Sequence, residues 1–382
     1  MTIAEPRHGA FAGVANQAEV SRMSEQHPAS SRRRWVRRWL WLLPLALLLP
    51  AELYTLHHAR RHRVDPAAVA LGNTQAVIDR LPAPAADEPF AFAVLGDIDS
   101  GAATFDRLLR KVKTQNVQFI VQLGDCVGET SPDRERFFRA EFAEHEIAVP
   151  TFVIAGNHDI APGLCPVEQF EAVQGPADFC FVYRDCLFVG LGRLIDESRA
   201  ADSLAFLERA LREHGATARR RFVFLHYPLP VRADFPGEPF PLGPEFVKLI
   251  RQHRVDYVIA GHYHTYARLQ VGPTTFLISG GGGGRLRPRY ASRTGFTGLF
   301  HHALVIRVDR DAVAELIMPC APAGPLAKVC EKPEFLATMR LYPWLRRHPL
   351  AAVTINLAAV ALAAPAFRRR RCCADPKPAG RG

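Results

Sequence analysis

The chain has 382 residues, 48% of them hydrophobic, and a formal net charge of +10, which leaves room for one large globular domain with tails. The charge sits at the ends: residues 1–38 hold seven Arg against three Glu, and residues 346–382 hold eight Lys or Arg against one Asp. The stretch between them is close to neutral, which argues against a phosphate-backbone footprint, so no nucleic acid partner is expected.

In chain order, the first apolar segment runs from Trp39 to Ala51, behind Arg32, Arg33, Arg34, Arg37 and Arg38. This predicts a basic cytoplasmic tail over 1–38 and a transmembrane or signal-anchor segment over 39–56. Glu52 and Leu53 follow Ala51 directly, so no small-x-small cleavage site marks a removable signal peptide. Residues 57–89, with His57, His58 and His62 in a basic stretch, are expected to form a solvated linker.

Ala91–Leu95 then reads as a strand, and Ala103–Lys113 as an amphipathic helix with Phe105, Leu108, Leu109 and Val112 on one stripe. Strand Phe119–Leu123, helix Arg134–Ala143 and strand Thr151–Ile154 follow. Phe179–Tyr183 and Leu187–Leu191 predict a hairpin turning at Arg184 and Asp185. Next come helix Ser203–Glu213 with Asp202 as its cap, strand Phe222–Leu225, a helix over Pro244–Gln252, and strand Val255–Ala260. Strands alternating with helices predict a layered α/β domain over 90–320. His301 and His302 precede the strand Ala303–Arg307, where a structural or rim role is expected.

A linker over 321–348 leads to a second apolar segment, Leu350–Phe367, which ends in Arg368 to Arg371. It predicts a transmembrane helix over 349–367 and a basic tail over 368–382. Positive flanks at both ends would hold the tails inside and the domain outside the cytoplasm, periplasmic or extracellular, with the membrane as a partner. Six cysteines lie in the body (Cys126, Cys165, Cys180, Cys186, Cys320 and Cys330). That even number is compatible with disulfides, Cys320 with Cys330 being the best pair, or with buried free thiols. Cys126, beside Asp125, is expected to pack rather than react.

Short motifs follow several of these strands: Gly96-Asp97-Ile98-Asp99, Gly124-Asp125, Gly156-Asn157-His158-Asp159, His226 after Phe222–Leu225, and Gly261-His262-Tyr263-His264. Strand ends are where α/β sheets gather ligands. Carboxylates, an amide oxygen and imidazoles suit Mn, Fe, Zn or Mg, without a thiolate cage. Two such ions about 3.5 to 4 Å apart can clamp an in-line displacement at phosphorus.

The five motifs in this order resemble the signature of the calcineurin-like metallophosphoesterases, over roughly Phe90 to Met318. The resemblance implies an α/β fold, a layered metallophosphoesterase-like β-sandwich flanked by helices, here with N- and C-terminal membrane segments. It implies two divalent metal ions: Asp97, Asp125 and His264 would hold the first, while the bridging Asp125, Asn157, His226 and His262 would hold the second. His158, supported by Asp159, would meet the phosphate or protonate the leaving oxygen. The activity implied is hydrolysis of phosphate mono- or diesters, including envelope or lipid-linked ones, by attack of a metal-bridged hydroxide. The alternative is a catalytically impaired module of this fold that binds a phosphate ligand or protein partner.

Two positions depart from the family pattern. Asp99 stands where a His is usual, so it either ligates the first ion through oxygen or leaves that place to water. Gly128 stands where purple acid phosphatases carry Tyr, which argues against the tyrosinate-containing subtype. Gly280–Gly284 resembles the family's Gly-rich loop beside the site, with a flexible turn as the other reading. Arg285, Arg287 and Arg289 after it either meet a phosphate or are solvated.

Overall fold

The computed structural model describes residues 43–61, 69–83, 88–321 and 341–368, apart from 100, 129, 131, 146, 162–164, 233–234, 236, 240–241 and 289–295. The chain divides into two compact units, one of residues 1–51 with 348–382 and one of residues 52–347. Helix Leu43–Arg61 begins in the smaller unit, which also holds helix Pro349–Arg368.

The first of the membrane segments expected over 39–56 and 349–367 falls partly outside the described residues. Among the described residues no helix is long and apolar enough to cross a membrane. Helix Leu43–Arg61 contains Pro50 and turns polar at Glu52, His57 and His58. Helix Pro349–Arg368 carries Thr354 and Asn356 in mid-course, and the Thr354 hydroxyl donates back to the Leu350 carbonyl at 2.8 Å. The Arg32–Arg38 and Arg369–Arg371 blocks lie outside the described residues.

The larger unit holds twelve described strands in two sheets: β1 (Phe90–Leu95), β2 (Phe119–Gln122), β3 (Thr151–Val153), β4 (Asp178–Tyr183), β5 (Cys186–Leu191), β6 (Arg220–Leu225), β7 (Tyr257–Ala260), β8 (Tyr266–Val271), β9 (Thr274–Ser279), β10 (Phe296–Gly298), β11 (His301–Val308) and β12 (Val313–Cys320). One sheet has the order β12-β11-β1-β2-β3 and the other β10-β8-β9-β7-β6-β5-β4. The pairs β1 with β2, β2 with β3, β5 with β6, β6 with β7 and β7 with β9 are parallel. The pairs β1 with β11, β11 with β12, β4 with β5, β8 with β9 and β8 with β10 are antiparallel.

Period-two alternation explains the layering. Phe90, Phe92 and Val94 of β1 face the other sheet, while Ala91, Ala93 and Leu95 face the helices. Phe222 and Phe224 of β6 face inward, and Val223 and Leu225 outward. Both faces are buried, so these strands read as continuous apolar runs. Between the sheets lies an aromatic layer: Phe92 sits 5.2 Å from Phe222, and Phe119 5.0 Å from Phe188, ring centre to ring centre. Helix Ala102–Lys113 packs on the first sheet through Phe105, Leu108, Leu109 and Val112, as its stripe predicts. Helices Ala200–Glu213 and Gly243–Gln252 cover the second through Leu204, Leu207, Leu211, Phe246 and Ile250.

Several expectations shift. Asp202 lies inside the first turn of Ala200–Glu213 rather than capping it; Asp196, capping the preceding turn, accepts from the Ser198 amide. Part of the expected linker 57–89 packs on the domain: Leu71 bridges Thr151, and Asn73 exchanges hydrogen bonds with the Val153 main chain. Cys126, Cys165, Cys180, Cys186 and Cys320 are free thiols, so the disulfide reading fails for the described residues. Cys330 lies outside them.

His302 has the structural role expected of it. Its ring is fully buried, with Nε2 3.1 Å from the Ser279 hydroxyl and Nδ1 3.0 Å from the Phe300 carbonyl. Burial lowers its pKa from 6.5 to about 4. The unfolded chain therefore takes up this proton first as the pH falls, and the contribution to stability present above 6.5 is lost toward 4. Between pH 7 and 4.5 the loss is about 2 kcal/mol. Denaturant midpoints of wild type and His302→Gln at the two pH values should show the variant losing less on acidification by that amount.

Candidate metal centre

The C-terminal ends of β1, β2, β3, β6 and β7 lead into turns that carry Asp97, Asp125, Asn157, His226 and His262. The turns are stitched together by the backbone: the amide of Asp97 donates to the Gly124 carbonyl, and those of Ile98 and Asp99 to the Asp125 carbonyl, each at 3.1 Å. Asp97, Asp99, Asp125, His262 and His264 all have left-handed backbone, with φ of 61°, 53°, 52°, 70° and 39°. Such conformations cost non-glycine residues about 1 to 3 kcal/mol each, and they concentrate at functional sites. Here they turn the side chains back over the strand ends.

Two triads result. Asp125, His226 and His262 bring ligand atoms within 4.8 Å of one another, as do Asp97, Asp125 and His264. Asp125 belongs to both. Its Oδ1 accepts the backbone amide of His158 at 2.9 Å, and its Oδ2 lies 3.5 Å from Nε2 of His226. Asn157 turns its amide oxygen to within 3.1 Å of that Nε2. Asp97 is fully buried; its Oδ2 accepts the His262 amide at 2.9 Å. Its Oδ1 has no hydrogen-bond partner and lies 3.5 Å from Nε2 of His264.

That orphaned oxygen tests whether a cation fits. A buried carboxylate oxygen without a donor is costly unless a positive charge faces it. The titration behaviour agrees: burial pushes Asp97 up to about 8, which is the response of an acid without its counter-charge. Burial also opposes ionisation of Asp125, but the adjoining His226 wins and holds it below the usual carboxylate range. His226 in turn is disfavoured as a cation by burial, yet Asp125 raises it to about 9. His262, lowered to about 3 by burial and then by His226, and His264, lowered to about 4 by burial and then by Arg287, stand neutral. Neutral imidazoles and ionised carboxylates are the forms that bind metal, so His262 and His264 already stand in that form, whereas Asp97 and His226 would each give up a proton on binding.

The other expected residues divide. His158 sits at the mouth, its side chain 37% exposed and its Nε2 4.0 Å from Asp125 Oδ2. Asp159, expected to support the His158 ring, turns the other way: its Oδ2 accepts the amides of Asp125 at 2.8 Å and Gly156 at 2.9 Å. It shapes the turn that carries the ligands. Asp99 joins neither triad; a Cβ on Gly128 would lie 2.3 Å from its Oδ1, so the carboxylate occupies room that only glycine leaves. The Gly280–Gly284 run is a wall of the site, since Gly282 and Gly284 donate to the carbonyls of Gly96 and Asp97. A Cβ on Gly284 would meet the His264 ring at 2.7 Å. Arg289 lies outside the described residues, whereas the Arg285 carbonyl accepts from His264 Nδ1 at 2.8 Å. Glu238, which no sequence pattern marks, approaches His262 Nε2 at 3.3 Å.

Residues 90–266 match the family model of the calcineurin-like phosphoesterases. The chain carries a domain of that family. Among solved structures, the calcineurin-like phosphoesterase fold here resembles the purple acid phosphatase PPD1 from yellow lupin (Lupinus luteus) seeds, at 16% identity and a TM-score of 0.50 over 62% of this chain and 52% of that one. A dimetal phosphatase from Danio rerio is similar over 61% of this chain and 100% of its own, at 14% identity and a TM-score of 0.42. At these identities the likeness is one of fold. The chain spans about half the length of the lupin enzyme, and no curated protein matches it by sequence. The calcineurin-like phosphoesterase family usually binds a dinuclear metal site, and the two triads provide candidate ligands for one.

Proposed function

We propose that the chain is a metal-dependent phosphoesterase that hydrolyses phosphate mono- or diesters at a two-ion site. The observation that carries this reading is the pair of triads sharing Asp125, with the unpartnered Asp97 Oδ1 in one of them. Divalent ions held there would supply an activated water and neutralise charge on the phosphate oxygens. Asp97 and His264 would hold one ion, and Asn157, His226 and His262 the other, with Asp125 between them.

The remaining chemistry belongs to the protein. His158, at the mouth and partly exposed, is placed to hydrogen-bond a phosphate oxygen or give a proton to the leaving oxygen. Asp159 fixes the turn through the amides of Asp125 and Gly156, so the shared carboxylate keeps its direction. The glycine wall lets backbone rather than side chains border the site.

The test takes the full chain, measures bound metal by elemental analysis, and compares p-nitrophenyl phosphate with bis-p-nitrophenyl phosphate in Mn²⁺. Two ions per chain, with turnover that falls in His158→Ala while the metal content stays, is the expected result. One ion or none, without turnover in any divalent metal, would make the domain a phosphate-binding module instead.

A further inference from the structure

Each of the three candidate histidine ligands has one ring nitrogen tied to an acceptor. His226 Nδ1 lies 2.7 Å from the Leu123 carbonyl, and His264 Nδ1 2.8 Å from the Arg285 carbonyl. His226 and His264 thereby present Nε2 to Asp125 and Asp97. His262 is reversed: its Nε2 faces a carboxylate, Glu238 Oε1, at 3.3 Å. Two acceptors are neutral main chain. The third is a charged side chain, 35% exposed, on the loop that follows β6.

Glu238 is held in that position from several sides. The Tyr263 hydroxyl donates to the same Oε1 at 2.9 Å, and the Glu238 amide donates to the Pro228 carbonyl at 2.8 Å. The preceding Gly237 lies against the start of the loop so closely that a Cβ would come within 2.2 Å of Pro230 N. The Tyr227 ring packs edge-on against His262 at 4.6 Å. The loop is thus folded back on itself, with its carboxylate delivered to one imidazole.

An imidazole that donates Nε2–H to a carboxylate keeps its lone pair on Nδ1, and the carboxylate makes that nitrogen a stronger ligand. Resting on the two-ion reading, we propose that Glu238 is a positioning residue that acts through His262 to set the affinity of the ion held by Asp125, His226 and His262. It leaves the ion at Asp97 and His264 unaffected. The β6–β7 connection would thereby be tied to one ion of the pair and not to the other.

Metal-stripped full-length protein titrated with Mn²⁺ by calorimetry, with elemental analysis of the saturated form, tests this. Wild type should bind two ions, and His262→Ala identifies the step in question. Glu238→Ala should weaken that step about 10- to 100-fold and leave the other unchanged. Glu238→Gln keeps the volume and an acceptor but not the charge, so it should melt like wild type when stripped yet restore affinity only in part. Tyr263→Phe, which frees the carboxylate without removing it, should weaken the same step by less than Glu238→Ala. Two unchanged steps in Glu238→Ala would overturn the proposal while leaving the two-ion reading intact, as would full recovery in Glu238→Gln. A wild-type chain that binds fewer than two ions would overturn the two-ion reading and the proposal with it.

Discussion

Asp125→Ala should remove both ions and lower turnover of a phosphate ester by about 10³-fold or more. The size follows from the position of the residue, since its carboxylate belongs to both triads and no neighbour can replace it. Losing the electrostatic stabilisation of one bound cation costs several kcal/mol at the transition state, and each 1.4 kcal/mol is about tenfold in rate. The substitution also removes the acceptor for the His158 amide, so the turn bearing the mouth histidine loosens. Elemental analysis and p-nitrophenyl phosphate turnover measure the two effects separately. Retention of both ions would place the bridge elsewhere. His158→Ala gives the useful contrast, since it should keep the metal and lose only rate.

Phe188→Ala should destabilise the domain by about 3 to 5 kcal/mol, the range for emptying a large aromatic from a packed core. Phe188 is fully buried between the sheets, and its ring lies 5.0 Å from Phe119 and from Phe222, 5.1 Å from Phe181 and 5.4 Å from Phe92. The neighbours are rings fixed on four different strands, so they cannot close over the gap without moving backbone. A denaturant titration followed by circular dichroism reads the loss. A change under 1 kcal/mol would mean that the layer is loosely packed. The same substitution tests how the site is supported, because β1, β2, β3 and β6 all carry aromatic residues of this layer and all deliver a candidate ligand.

Much of this was legible in the sequence because parallel strands buried on both faces announce themselves as short apolar runs, and the ligands follow them directly. β1, β2, β3, β6 and β7 fall at or within a few residues of the expected segments, and Asp97, Asp125, Asn157, His226, His262 and His264 converge. The β8–β9 hairpin and the helix Val167–Gln174 had no clear signal, being short and of mixed polarity. Asp159 could not be read from its place beside His158: adjacent residues in a turn point in different directions, and its carboxylate goes to amides. Glu238 reaches His262 through tertiary structure alone, across 24 positions of sequence. In the first terminal segment a basic flank and a run of leucines suggest a span, while Pro50, Glu52 and the polar residues beyond them end the apolar run early.

The bridge between Leu71 and Thr151, with Asn73 bonded to Val153 on both its amide groups, bears on where the folding unit starts. β3 is the last strand of its sheet, and it carries Asn157 immediately beyond its end. Uncovered, its backbone would offer unpaired donors and acceptors to any passing strand, the usual seed of intermolecular pairing. Residues 70–73 act as a guard rail along that border, joined to the strand through main chain and side chain alike. The stretch that matches the family begins at residue 90, but the piece of chain that keeps the domain from pairing with its neighbours begins some twenty residues earlier.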